Sequence, residues 1–345
     1  QGQTATISIT LSEAATDFAS ADITATGGTI SGFSGSGTSY SATFTPTATA
    51  GATATVKVNA GTFSDAQGNA STAASNTVSI TVDTVAPTIT AAAITSNNAT
   101  STQAKAGDIL TVTLTTSEAV TITGGTPTVA LTVGSTPVNA TYVSGSGTTS
   151  LVFRYTVQAG DTDSSGGVAV GALAANGATM SDTVGNALVA TFTGPSNAIV
   201  VDTTAPSAPV VTGSSPVYTG SATPSLSGTA EAGSTVRVYD TSVSPNVLLG
   251  TVTATGGGTW TLTSPSLADG DHAIVATATD AAGNLSSDSS AVTYRIDLTA
   301  PAAPTIDAGI SDDTGSSATD RVTSDTTLVI TGHAEAGSTV QLYVG

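Results

Sequence analysis

Apolar residues alternate with Thr and Ser along most of this chain. In "TATISITLSE" (4–13) Ile7, Ile9 and Leu11 fall on one face, with Thr and Ser on the other. "SYSATFTP" (39–46) repeats the pattern with Tyr40, Ala42 and Phe44, and "TVSITVD" (77–83) with Val78, Ile80 and Val82. "SLVFRYTVQ" (150–158) aligns Leu151, Phe153, Tyr155 and Val157 and leaves Arg154 outward. "STVRVYD" (234–240) does so with Val236 and Val238, and "GTWTLTSP" (258–265) with Trp260 and Leu262. A period of two with polar outer positions marks antiparallel sheets that keep one wet face. Gly-rich turns such as "GSGTS" (35–39), "GSGTT" (145–149) and "GGG" (256–258) separate the strands. No stretch carries an apolar period of 3.6. The pattern predicts an all-β chain.

Three short elements recur. A hexapeptide appears as "VDTVAP" (82–87), "VDTTAP" (201–206) and "IDLTAP" (296–301). A D-x-x-G-N turn precedes each copy, in "SDAQGN" (64–69), "SDTVGN" (181–186) and "TDAAGN" (279–284). An early glutamate sits in "SEA" at 12–14 and 117–119 and in "AEA" at 230–232 and 334–336. These repeats place unit borders at 1–83, 84–202, 203–297 and 298–345. Units of this size, built of short strands between turn signals, read as β-sandwiches. The first unit opens inside a strand pattern without Met or a leader, and the last is too short to close a core of its own. Both features predict a section of a longer protein.

Polar character comes from hydroxyls rather than charge: 9% of residues are charged and 4% aromatic, against 39% hydrophobic. Lys and Arg number 6 against 24 Asp and Glu, a net charge of −18. Such a surface repels nucleic acid and anionic lipid and attracts cations. No run is long enough to span a membrane as a helix. The chain has no cysteine, and it carries no G-x-S-x-G elbow, H-E-x-x-H pair or phosphate loop. His272 and His333, the two histidines, read as surface or core residues. Trp260 is in phase with the core rather than placed as a sugar platform. The expectation is a protein that is not an enzyme.

Units one, three and four resemble the tandem bacterial immunoglobulin-like domains of giant surface adhesins and biofilm-associated proteins. The resemblance rests on "SEAATDF", "TFTP" and "DAQGN" in the first unit, on "GTAEAGSTVRVYD", "LADGDH" and "ATATDAAGN" in the third, and on the joint hexapeptide. The fourth repeats the third in "GHAEAGSTVQLYV". Unit two resembles the same superfamily through "LTTSEAV", "YVSGSGTTSLVFRYTVQAGD" and "DTVGN". It implies a tandem array of immunoglobulin-like β-sandwiches on the bacterial cell surface, serving as a stalk in adhesion or biofilm formation. Its partners would be neighbouring domains of the same chain, with any surface ligand held by regions outside it. Two other readings stay open: a self-assembling surface-layer or filament subunit with homotypic contacts, and a carbohydrate-binding accessory module of a secreted enzyme. The shortage of aromatics speaks against the second.

In such a sandwich, the loops after the second strand and before the last lie at the end where the chain comes in. The early glutamate is then expected in the first of these loops and the D-x-x-G-N turn in the second. A last strand of about ten residues, at roughly 3.3 Å each, carries the chain about 30 Å away. Each turn should therefore meet the joint preceding its own unit. Asp83 is expected with Glu118, Asp182 and Asn186; Asp202 with Glu231, Asp280 and Asn284; Asp297 with Glu335. Carboxylates so gathered repel unless a cation sits among them. An oxygen-only ligand set favours calcium, as at the joints of cadherins. The alternative is that these residues only cap tight turns. "DTDSSG" (161–166) opens like a calcium loop, but Ala172 stands where a glutamate is needed, so it reads as a solvated acidic loop. "SDDTGSSATD" (311–320) is ambiguous in the same way.

Overall fold

The computed structural model describes residues 4–47, 52–163, 167–307, 316–317, 322–324, 326–327 and 329–343. The chain divides into two compact units. One is Gln1–Thr204 with Ala281–Asn284, and the other Ala205–Asp280 with Leu285–Gly345. The described residues are strands and turns, with a single 3-10 turn at Ser20–Asp22 and no α-helix. Three separate hydrophobic clusters form, two in the first unit and one in the second. The molecule is all-β, as its alternation predicts.

The first cluster lies between two three-stranded sheets. One takes the order Ala5–Thr10, Ser39–Pro46, Gly28–Ser36, and the other Ile23–Thr26, Ala52–Val58, Val78–Val82. Tyr40, Ala42 and Phe44 point inward as their phase requires. Burying a side chain like Phe44, which is 0% exposed, contributes about 2–3 kcal/mol. Phe18 packs edge-on against Phe33, Tyr40 and Phe63 at centroid distances of 5.5, 4.8 and 5.0 Å. One inner position departs from its phase: Val78 is 42% exposed. It opens the short edge strand Val78–Val82, which pairs on one side only.

The second cluster is organised by one long strand, Ile109–Thr123. Its first half pairs with Ile89–Ser96 and Thr148–Thr156, and its last residues with Thr179–Ser181. Thr115 faces Ser150 and Val120 faces Thr148, so residues 116–119 stand opposite a single partner position. A bulge of this kind bends a strand and re-aims its side chains. It corrects one expectation: Glu118 lies inside this bulged strand, not in a loop between two strands. The strand runs on through "TSEA" because its pairing resumes on the far side, at Val120 with Thr148 and Thr121 with Ser181.

In the second unit the order Val217–Thr219, Val292–Ile296, Gly270–Thr279, Thr235–Asp240, Val247–Thr253 forms one sheet. Val210–Val211, Ser225–Thr229 and Thr259–Thr263 form another. Trp260 is buried in this core, its indole N–H without a partner. Gly228 makes room for it: a Cβ there would collide with the indole ring and with the Val210 carbonyl. Two details depart from a purely antiparallel reading. Val217–Thr219 runs parallel to the last strand, and in the first unit Gln103–Ala104 runs parallel to Val200–Val201. The last strands, Val78–Val82, Val200–Asp202 and Val292–Ile296, are also shorter than about ten residues. Irregular backbone covers the remaining distance.

Candidate metal centre

The joint after the first core is held by three segments of the first unit. The bulge is closed by Thr116 Oγ1 donating to the Glu118 carbonyl (2.7 Å). It is tied to the joint by Ser117 N–H donating to the Thr88 carbonyl (2.8 Å) and Thr88 N–H donating to Ser117 Oγ (3.0 Å). From the other side Val189 N–H donates to the Pro87 carbonyl (2.9 Å). The D-x-x-G-N turn completes the site. Asp182 Oδ1 accepts from the N–H groups of Val184 and Asn186, both at 2.9 Å, and Oδ2 from Asn186 Nδ2 at 2.7 Å. Gly185 takes φ 97, a conformation that strains any residue with a Cβ. Asn186 Nδ2 also reaches the Asp83 carbonyl (3.2 Å).

The result is a carboxylate trio: oxygens of Asp83, Glu118 and Asp182 lie within 4.8 Å of one another, with Asp182 buried and the other two half-buried. Among the described residues this is the one group of three acidic or histidine side chains with metal-ligand spacing. None of the ion pairs among the described residues involves these three. Burial pushes the Glu118 carboxyl above its ordinary 4.5, and the charges of Asp83 and Asp182 push it the same way. Burial also works against the charge of Asp182. The hydrogen bonds from the Asn186 side chain and from the turn N–H groups outweigh it and hold that carboxyl below the usual range. The trio therefore carries up to three negative charges with no base to answer them. Its oxygens fit a hard cation such as calcium rather than zinc or copper.

The other residues of this pattern are placed as follows. All three joint aspartates cap their own turn: Asp83 Oδ1 accepts from Val85 N–H (3.1 Å), Asp202 Oδ1 from Thr204 N–H (2.9 Å) and Asp297 Oδ1 from Thr299 N–H (3.0 Å). Asn284 belongs by its contacts to the first unit, where Nδ2 donates to the Asp202 carbonyl (2.8 Å). Glu231 and Asp280 belong to the second unit. The Glu231 carbonyl accepts from Ser234 N–H and Oγ, and the Glu335 carbonyl is met in the same way by Ser338. Glu335 Oε2 reaches the third joint at Ala302 N–H (3.3 Å).

"DTDSSG" is not a solvated loop. Asp161 and Asp163 are buried, and Asp161 Oδ2 accepts from Tyr155 Oη (2.7 Å) and Gln158 N–H (2.8 Å). Burial and this carboxylate push the Tyr155 hydroxyl up to about 12. The acid is spent inside the fold as a turn lock. Residues 164–166 of this stretch, and most of 311–320, lie outside the described residues. A pair that sequence reading missed is Asp240 with His272, 2.6 Å apart. Strand phase alone does not bring together two residues so far apart in the chain. One signal was available: in the fourth unit's copy of this strand, Val344 stands where the third has Asp240.

Residues 1–82 match a family model described as a bacterial Ig-like domain, and residues 197–298 match a second model with the same description. The chain therefore carries two stretches that match bacterial Ig-like domains, residues 1–82 and 197–298. Its solved structural neighbours are distant. Fibronectin(III)-like modules of Clostridium thermocellum CbhA match at 14% identity and TM-score 0.30, covering 60% of this chain and 94% of theirs. Chicken CNTN1 FN1–FN3 domains match at 10% and 0.29, covering 86% and 96%. The BSP domain of a biofilm-associated protein matches at 14% and 0.23, covering 77% of this chain and 49% of that one. No curated protein matches the chain. Among the described residues no helix is long and apolar enough to cross a membrane.

Proposed function

We propose that this chain is a length of stalk from an extracellular bacterial surface adhesin, non-enzymatic, whose joints are stiffened by calcium. The single observation that carries the calcium reading is the unanswered trio Asp83, Glu118 and Asp182, gathered where the chain passes from its first core to its second. A cation there would hold the linker, the bulged strand and the turn together. The sequence repeats extend this reading to the joint aspartates Asp202 and Asp297. Extracellular calcium modules bind at roughly 10⁻⁴–10⁻³ M. At ten times the dissociation constant, calcium adds about 1.4 kcal/mol. That is small beside a packed core but large for a linker with few contacts.

Small-angle scattering of the whole chain with calcium and with chelator tests the reading. A stalk gives an elongated monomeric particle at all concentrations, with a longer maximum dimension in calcium. A compact globule in both conditions overturns it. Growth of the particle with concentration replaces it with the surface-layer reading.

A further inference from the structure

His272 opens an inward run of the strand Gly270–Thr279 and is flanked by two acceptors. Its Nδ1 lies 2.6 Å from Asp240 Oδ2 and its Nε2 lies 3.1 Å from the Ala268 carbonyl. Asp240 is buried, and its other oxygen is already taken: Oδ1 accepts from Ser242 N–H (2.9 Å) and Ser242 Oγ (2.6 Å). A neutral imidazole has one N–H and can donate to only one of its two neighbours. The imidazolium donates to both. The geometry is therefore complete only when His272 is charged.

The loop that His272 holds leads to the third joint. Ala268 adjoins Asp269, whose Oδ2 accepts from Thr299 Oγ1 (3.0 Å) and Leu298 N–H (3.4 Å) in the "IDLTAP" stretch. Leu267, buried, fixes the same loop through its N–H to the Ala222 carbonyl (2.8 Å). We propose that His272 is a pH-sensitive latch that sets how firmly this loop grips the chain leaving the core at Leu298 and Thr299. Joint stiffness would then respond to pH independently of any bound cation.

Other charges around the ring are accounted for. Asp271, next to it in the chain, is engaged by Arg295 in a double hydrogen bond, both at 2.6 Å. That pairing holds Asp271 below the usual carboxylate range and keeps Arg295 charged, so neither titrates near neutrality. Tyr294 faces His272 in register, and burial raises its hydroxyl. At His272 itself burial opposes the charge. The Asp240 hydrogen bond, the Ala268 carbonyl and the charges of Asp240 and Asp271 outweigh it, and the imidazole stays protonated above its ordinary 6.5. The latch is thus closed well below that value and opens as pH rises through the folded-state value, which lies above it. Asp240, held below 3.8, sets the acid limit: the latch also opens as pH falls through its depressed value.

The test uses the full chain labelled with ¹⁵N. His272→Gln assigns the His272 ring signals by their loss. At about pH 5.5 both His272 nitrogens should resonate as imidazolium, with the midpoint above the ordinary 6.5. The exchange protection of the Leu298 amide, corrected for intrinsic rate, should fall several-fold as pH rises through the same midpoint. In His272→Gln that protection should be low and independent of pH. A His272 midpoint at or below 6.5 overturns the proposal. So does wild-type protection that ignores the His272 titration, or an equal pH response in the variant.

Discussion

Two acidic clusters of this protein share the same residue type and differ in what surrounds it. At the first joint Asp83, Glu118 and Asp182 come within 4.8 Å of one another and form no ion pair among the described residues. In the third core Asp240 meets His272 and Asp271 meets Arg295, each at 2.6 Å. In the first arrangement burial, and after it the charges of Asp83 and Asp182, raise the Glu118 carboxyl. In the second, Ser242 and then His272 hold Asp240 below the usual carboxylate range against its burial, and Arg295 does the same for Asp271. A fold can close a carboxylate with its own bases or leave the place to a cation from solution. With 6 Lys and Arg against 24 Asp and Glu, the chain cannot do the first everywhere. Where it does, the joint answers to pH; where it does not, the joint should answer to calcium.

The largest expected effect comes from Asp182. Its carboxylate satisfies two backbone N–H groups and the Asn186 side chain in a buried turn. Asp182→Ala leaves those donors unpaired and should cost about 3 kcal/mol, read by urea unfolding of the second core. The matching turn of the first core, at Asp65, makes the same bonds at a less buried site. Asp65→Ala should be clearly milder. Equal losses would show that burial does not set the value of this turn.

Glu118→Gln sharpens the contrast further. A carboxyl raised above 4.5 in the folded state makes the calcium-free protein lose stability as pH rises from that value through the folded one. The variant should lack this loss and melt at a higher temperature than wild type without calcium at neutral pH. With calcium at ten times the dissociation constant the order reverses, since only wild type gains about 1.4 kcal/mol. A variant less stable than wild type in chelator would mean that the trio does not repel. Arg295→Ala marks the other extreme. Its side chain and that of Asp271 are about half exposed, at 47% and 49%, so the pair is screened by solvent. Thermal melting should be indistinguishable from wild type, and a clear drop would show that the matched cluster is held by this pair.

Much of this was legible in the sequence because it depends on local rules. Alternation at Tyr40, Ala42 and Phe44, or at Leu151 and Phe153, names the inner face without knowing the partner strand. The D-x-x-G-N turn reads directly as a capped turn, and Gly68, Gly185 and Gly283 all take the positive φ it requires. The repeats pointed to Asp83, Glu118 and Asp182 together, and the structure brings them within 4.8 Å, but with Glu118 on a strand bulge rather than in the expected loop. What the sequence hid depends on how neighbouring strands pair. The bulge at 116–119 exists because Thr148–Thr156 shifts register against it. The Asp240–His272 contact exists because Thr235–Asp240 lies beside Gly270–Thr279. Neither pairing is written in either strand alone.

The trio at the first joint is proposed to hold calcium. Isothermal titration of calcium into the chelator-treated chain, run beside Glu118→Gln, tests it most directly. The account predicts binding at roughly 10⁻⁴–10⁻³ M in wild type, weakening as Glu118 protonates in acid, with at least one equivalent lost in the variant. Identical isotherms for the two proteins, or no binding to either, would contradict it and leave Asp83 and Asp182 as turn caps.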